Sequence, residues 1–153
     1  MSMNKASWHA SPENMVEAAY NLISFGPGAD PAWLSFRRLF AERPMLALRL
    51  FPNDESLSIM DLDQYVRCQI REDMKQLGYV ERPLESTFVV VGQVAQARVR
   101  FEMIYGPDER YEGVDYFQLV QQIGEWKIVS IAGEILEPSS SDVLRNVRPM
   151  LHG

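Results

Sequence analysis

Two carboxylates are the residues of this chain whose types and spacing could do acid–base chemistry. Ile123-Gly124-Glu125-Trp126 has the form of a two-residue hairpin with glycine at the first central position, which sets Ile123 opposite Trp126. Counting outward pairs Gln121 with Ile128, Leu119 with Ser130, Phe117 with Ala132 and Asp115 with Glu134, all on one sheet face. Two acids sharing a site hold one proton between them, and the one whose pKa rises can serve as a base near neutral pH. Tyr20, on an expected helix, adds a phenolic hydroxyl that could polarise a carbonyl. The plainer alternative leaves Asp115 and Glu134 at strand ends in water, or neutralised by an arginine such as Arg82.

Other chemistries find few residues. Only His9 and His152, near the two termini, and Cys68 are available as nitrogen or sulfur ligands, too few for a zinc site. Ser130 faces inward by the count above but has no histidine to activate it, so a hydrogen bond to backbone or water is its expected role. Cys68 sits near Arg67 and Arg71 and reads as a structural thiol. Gly26-Pro27-Gly28 lacks the lysine and hydroxyl of a phosphate loop. No cofactor or metal is expected.

Fifteen basic against twenty-one acidic side chains leave a net charge of -6, which opposes nucleic-acid binding. A single cysteine excludes an internal disulfide and fits a reducing compartment. With no apolar run of signal-peptide or membrane-span length, a cytoplasmic address and no membrane partner are expected.

The elements that must position the acids divide into a helical half and a sheet half. Ser11-Pro12 opens a first helix with Val16, Ala19, Tyr20 and Ile23 on one face, closed by Gly26-Pro27-Gly28. Asp30-Pro31 opens a second, with Trp33, Phe36, Leu39 and Phe40 at helical spacing up to Arg43-Pro44. Residues 46–51 and 57–60 read as a small hairpin. Asp61 and Gln64 form a capping box before a third helix striped by Leu62, Val66, Ile70, Met74 and Leu77 and ended by Gly78. From residue 86 to 135 the period becomes 2, giving three or four antiparallel strands, with Ala95, Ala97, Val99, Phe101 and Met103 on the dry face of one. A longer loop over 105–113 would make Phe101 a neighbour of Phe117 and place Met103 in the row of Asp115. Helices followed by strands is an α+β order. The expected organisation is a flexible segment over residues 1–10, one domain over 11–136 and a tail over 137–153.

Between helices and sheet, Tyr20, Trp33, Phe36, Tyr65, Phe101, Phe117 and Ser130 could line a pocket for a small apolar or aromatic molecule. Core packing accounts for the same aromatics. On the outer sheet face, Arg98, Arg100, Tyr116, Gln118, Val120, Val129 and Ile131 carry more bulk than a solvated sheet needs, so a homodimer contact is expected there.

Gly92-Gln93-Val94-Ala95, Phe101-Glu102, Tyr111-Glu112-Gly113-Val114-Asp115-Tyr116-Phe117-Gln118-Leu119-Val120 and Gly124-Glu125-Trp126-Lys127-Ile128-Val129-Ser130-Ile131 together resemble the nuclear transport factor two-like superfamily, which includes SnoaL-like and ketosteroid-isomerase-like members. The resemblance spans roughly residues 11–136 and implies a cone-shaped α+β fold. In that fold N-terminal helices pack in a strongly curved antiparallel sheet around an apolar pocket, and two copies often pair through the outer sheet face. The superfamily holds isomerases, dehydratases, cyclases and pure binding proteins, so fold does not decide function. Histidine-dependent members find no interior histidine here, while Tyr20 and Asp115 could imitate the tyrosine and aspartates of steroid-isomerase-like ones. The readings that follow are a small-molecule-binding homodimer, an isomerase, dehydratase or cyclase using a pocket carboxylate as base, and a structural subunit with a filled interior.

Overall fold

The computed structural model describes residues 5–69 and 72–136, without the side chains of residues 5, 6, 72 and 73. Ile70 of the third-helix stripe, Arg71, His152 and the expected tail lie outside the described residues.

A single turn, α1 (Lys5–Trp8), comes first. Trp8 is buried, His9 O accepts from the Trp126 backbone N–H, and its Nδ1 lies 2.9 Å from Trp126 O. His9, just before Ser11, is thus hydrogen-bonded to the last hairpin. Helix α2 (Pro12–Ile23) starts where hydroxyl and proline place it, with Ser11 Oγ accepting from Asn14 N. Its buried face carries Met15, Val16, Ala19, Tyr20 and Ile23.

The expected second helix is cut short. Helix α3 covers only Trp33–Arg37, and Phe40 already belongs to β1 (Phe40–Leu48), beside Ile128. Sheet pairing of this buried segment overrides its helical spacing. Arg43, at φ 59 and followed by Pro44, marks the irregularity before pairing resumes at Met45. β2 (Ser58–Met60) pairs antiparallel to β1 and completes the expected small hairpin. The capping box of Asp61 and Gln64 is present at the start of α4 (Leu62–Cys68), and α5 (Glu72–Leu77) follows.

Four long strands make the rest: β3 (Tyr79–Val91), β4 (Val94–Tyr105), β5 (Glu109–Gln122) and β6 (Glu125–Ile135). The six strands run in the order β2-β1-β6-β5-β4-β3, antiparallel except for the parallel β1–β6 pair. The sheet is curved and unclosed, with bulges in the β3–β4 and β5–β6 pairs, and the helices fill its concave side. The expected α+β architecture is the one observed. Among the described residues no helix is long and apolar enough to cross a membrane.

Two register corrections decide which residues meet. The β5–β6 turn is Ile123-Gly124, both at positive φ, so Gln122 rather than Ile123 starts the pairing. The register then shifts between Gln118 and Leu119: Leu119 pairs with Ile128 but Gln118 with Ser130, leaving Val129 over. One extra residue turns every later β6 side chain to the other face. Ile131, expected outside, is buried inside, whereas Ser130 and Ala132 leave the core face. On the other flank the expected 105–113 loop is a tight turn at Gly106, Pro107 and Asp108. Phe101 therefore pairs with Gly113, Phe117 with Ala97, and Asp115 with Val99.

Candidate functional site

The concave face of the sheet and helices α2 and α4 enclose a narrow cavity of about 50 Å3. At about 10–15 Å3 per water, it has room for a few waters or the edge of a small ring. Its walls include Ala19, Ile23, Phe36, Tyr65, Phe101, Phe117 and Ile131, and its polar groups are Tyr20, Gln69, Tyr79, Glu81 and Asp115. Arg49 and Glu134 stand among the lining residues toward solvent. A second hollow, lined by Phe51, Pro52, Asn53, Met74, Leu77, Tyr105, Glu109 and Tyr111, is wider but holds no buried acid.

The sequence placed Asp115 correctly and its partner wrongly. Asp115 is 6% exposed and faces inward from the middle of β5, opposite Gly133 rather than Glu134. Gly133 is what makes the space: a Cβ there would lie 2.0 Å from Asp115 Oδ1. Similarly, a Cβ at Gly113 would lie 2.8 Å from the Phe101 ring. The Tyr20 hydroxyl, reaching across from α2, donates a 2.8 Å hydrogen bond to Asp115 Oδ2. The Tyr20 ring is wedged between Phe101 and Phe117, with ring centroids 5.4 and 5.8 Å away.

Glu134 shares a row with Val114 and its side chain is half exposed. Arg49 holds it by two parallel hydrogen bonds of 2.8 and 3.0 Å, and that contact keeps its pKa below the usual carboxylate range. The expected Asp115–Glu134 couple is not formed. The second interior acid is Glu81 of β3, which accepts a hydrogen bond from the Tyr79 hydroxyl. Glu81 keeps some accessible surface because it opens to the cavity, yet it lies deep enough for desolvation to dominate its proton affinity.

Burial pushes the Asp115 carboxyl up to about 7, against the opposing pull of the Tyr20 hydrogen bond. Burial, then the neighbouring Asp115 charge, raises Glu81 to about 8, with the Tyr79 hydrogen bond again opposing. The two groups titrate as a pair. Tyr20, Tyr65 and Tyr79 are held well above the ordinary phenol pKa, first by burial, so all three remain proton donors. Among the described residues neither interior acid forms an ion pair, and no group of three or more metal-ligating side chains occurs.

The other expected lining residues divide. Phe36, Tyr65, Phe101 and Phe117 line the cavity with Tyr20, whereas Trp33 stands behind Phe36 and Tyr65 as edge-on packing. Ser130 is turned away by the bulge. Sequence reasoning missed Glu81, Tyr79 and Gln69. The period-2 alternation is legible only from residue 86, whereas β3 begins at Tyr79 and carries Glu81, Arg82 and Pro83. The tolerated proline was itself a signal, since β3 is an edge strand.

With this geometry in place, residues 34–132, more than half of the chain, match the family described as "Putative lumazine-binding". The chain belongs to this lumazine-binding-like family. No curated protein matches it. Among solved structures it is similar to an NTF2-like protein with a cystatin-like fold from Novosphingobium aromaticivorans, with 14% identity over 71% of each chain and a TM-score of 0.57. It is also similar to an NTF2-like protein of unknown function from Shewanella baltica, with 20% identity over 90% of this chain and 99% of that one and a TM-score of 0.50. A "putative ketosteroid isomerase" from Parabacteroides distasonis shares 13% identity over 84% and 90% of the two chains at a TM-score of 0.55. These likenesses bear out the superfamily resemblance at the level of fold. In the lumazine-binding-like domain of this chain, the matched segment supplies both interior acids and every cavity aromatic except Tyr20.

Proposed function

We propose that the cavity binds a small planar molecule, with its ring between the aromatic walls and its polar edge on Asp115, Glu81, Tyr65 and Gln69. The observation that carries this reading is an aromatic chamber whose inner end holds two carboxyls with no cationic partner. Near neutral pH such groups can donate as well as accept hydrogen bonds, as a heterocycle edge requires. The family's description makes lumazine the first probe. The expected outcome is saturable binding that raises Tm and is abolished by Leu48→Trp, which adds bulk to the cavity wall beside Gly133; lumazine and a panel of small planar molecules all failing to bind would refute it.

Tyr20 and Asp115 favour a second reading, proton transfer in an isomerase-, dehydratase- or cyclase-type reaction. A carboxylate near pH 7 is poised as a general base, and a Tyr20 hydroxyl released from Asp115 could donate to a developing oxyanion. Turnover that rises with pH through about 7 and disappears in Asp115→Asn would support it.

A homodimer through the outer sheet face is part of the same proposal. Its support is the exposed Val89, Val91 and Val94, which the register gathers on that face near the β3–β4 turn, and Tyr116 farther along the same face. Light scattering should give twice the chain mass, and Val91→Glu should halve it.

A further inference from the structure

The polar groups around the cavity are unequal in sign. From β3 and β5 come the Glu81 and Asp115 carboxyls; from α2, α4 and β3 come the Tyr20, Tyr65 and Tyr79 hydroxyls and the Gln69 amide; Arg49 and Glu134 neutralise each other near the entrance. The inner end therefore holds two acids and no base among the described residues.

A second, independent observation concerns the neutral polar groups of the wall. Gln69 is 5% exposed and lines the cavity, and its side-chain amide, for which no hydrogen bond is found among the described residues, is not sealed in the core but opens to the cavity. The Tyr65 hydroxyl, from the same helix, is likewise unpartnered and lies near enough to feel both acids. An amide and a hydroxyl that open to the same chamber as two carboxyls offer hydrogen-bonding positions to a ligand with several N–H groups.

We propose that the inner cavity is a receptor for a small planar organic cation of the amidinium or protonated amino-heterocycle class. Its N–H groups would meet the carboxylates of Asp115 and Glu81 and the Gln69 carbonyl. The inner edge of its ring would lie beside Phe36, Phe101 and Phe117, aromatic rings that attract positive charge, with the rest of the ring toward the entrance. The inference deepens the binding reading above and rests on it. An uncharged ligand leaves both acids protonated; a cation lets one ionise, so binding releases a proton to solvent.

The test compares benzamidine with its neutral isostere benzamide by calorimetry from pH 5.5 to 8.5, in buffers of different ionisation heat. Benzamidine should bind at least about tenfold more tightly than benzamide at pH 8. It should release about one proton at pH 6, and weaken about tenfold per pH unit below about 7. The Asp115→Asn/Glu81→Gln double variant should lose that preference and its pH dependence while still binding benzamide. Equal affinity for the two compounds, or a cation preference that survives in the double variant, overturns the inference and leaves planar-molecule binding standing. Absence of any ligand in the whole panel overturns both.

Discussion

Asp115 Oδ1 lies where a β-carbon on Gly133 would have to be, 2.0 Å from that ideal position, while its Oδ2 accepts a hydrogen bond from Tyr20. The carboxyl is therefore held from both sides, by a glycine across the β5–β6 pair and by a tyrosine across the core. Gly133 is at ordinary φ, so the constraint is steric and not conformational. Gly133→Ala should displace Asp115, break its bond to Tyr20 and lower stability by about 1–3 kcal/mol. Thermal unfolding and the Asp115 carboxyl chemical shift check this.

Removing the Tyr20 hydroxyl should act oppositely on charge and on stability. The hydrogen bond stabilises the Asp115 carboxylate, so in Tyr20→Phe the acid should titrate above its present value of about 7. The lost bond should cost about 1 kcal/mol in denaturant unfolding.

The interior acids also set a pH dependence whose sign runs against common acid denaturation. Folding raises both pKa values, from the ordinary carboxylate range to about 7 and about 8, so the folded state binds more protons than the unfolded one. Their contribution to stability is full below about pH 4, where both states are protonated, and is lost as pH rises through about 8. Asp115→Asn should therefore gain about 1–3 kcal/mol over the parent chain at pH 8.5, with the difference shrinking toward pH 5. Urea unfolding at the two pH values decides it.

Arg49→Ala tests the separation of the entrance pair from the interior. Glu134 is half exposed, so losing its partner should change stability by less than about 1 kcal/mol and let its pKa return upward. The titrations of Asp115 and Glu81 should remain near neutral in the variant.

Much of the frame was legible because local chemistry and tertiary context agree there. Ser11-Pro12 and the Asp61–Gln64 box start helices where their side chains can satisfy free amides, and the alternation over β4 fixes its dry face. Phe40 shows the limit: helical spacing carried it into an expected helix, but pairing with Ile128 draws it into β1. Half of the site was readable for the same reason that half was not. Tyr20, Phe101, Phe117 and Asp115 sit on regular stretches, so counting places them inside. Glu134 was misplaced because a single bulged residue, Val129, reverses the faces of the strand beyond it, and no feature of 128–131 announces a bulge. Glu81 was missed because an edge strand accepts a proline and charges that a central strand would not.

The measurement nearest the centre of the account is a carbon-detected NMR titration of the side-chain carboxyls between pH 3 and 10. The account requires two of them, removed one at a time by Asp115→Asn and Glu81→Gln, to titrate as a coupled pair at about 7 and about 8. If both instead lose their protons below pH 5, the two acids are solvated or paired with cations, and the buried proton-holding chamber does not exist.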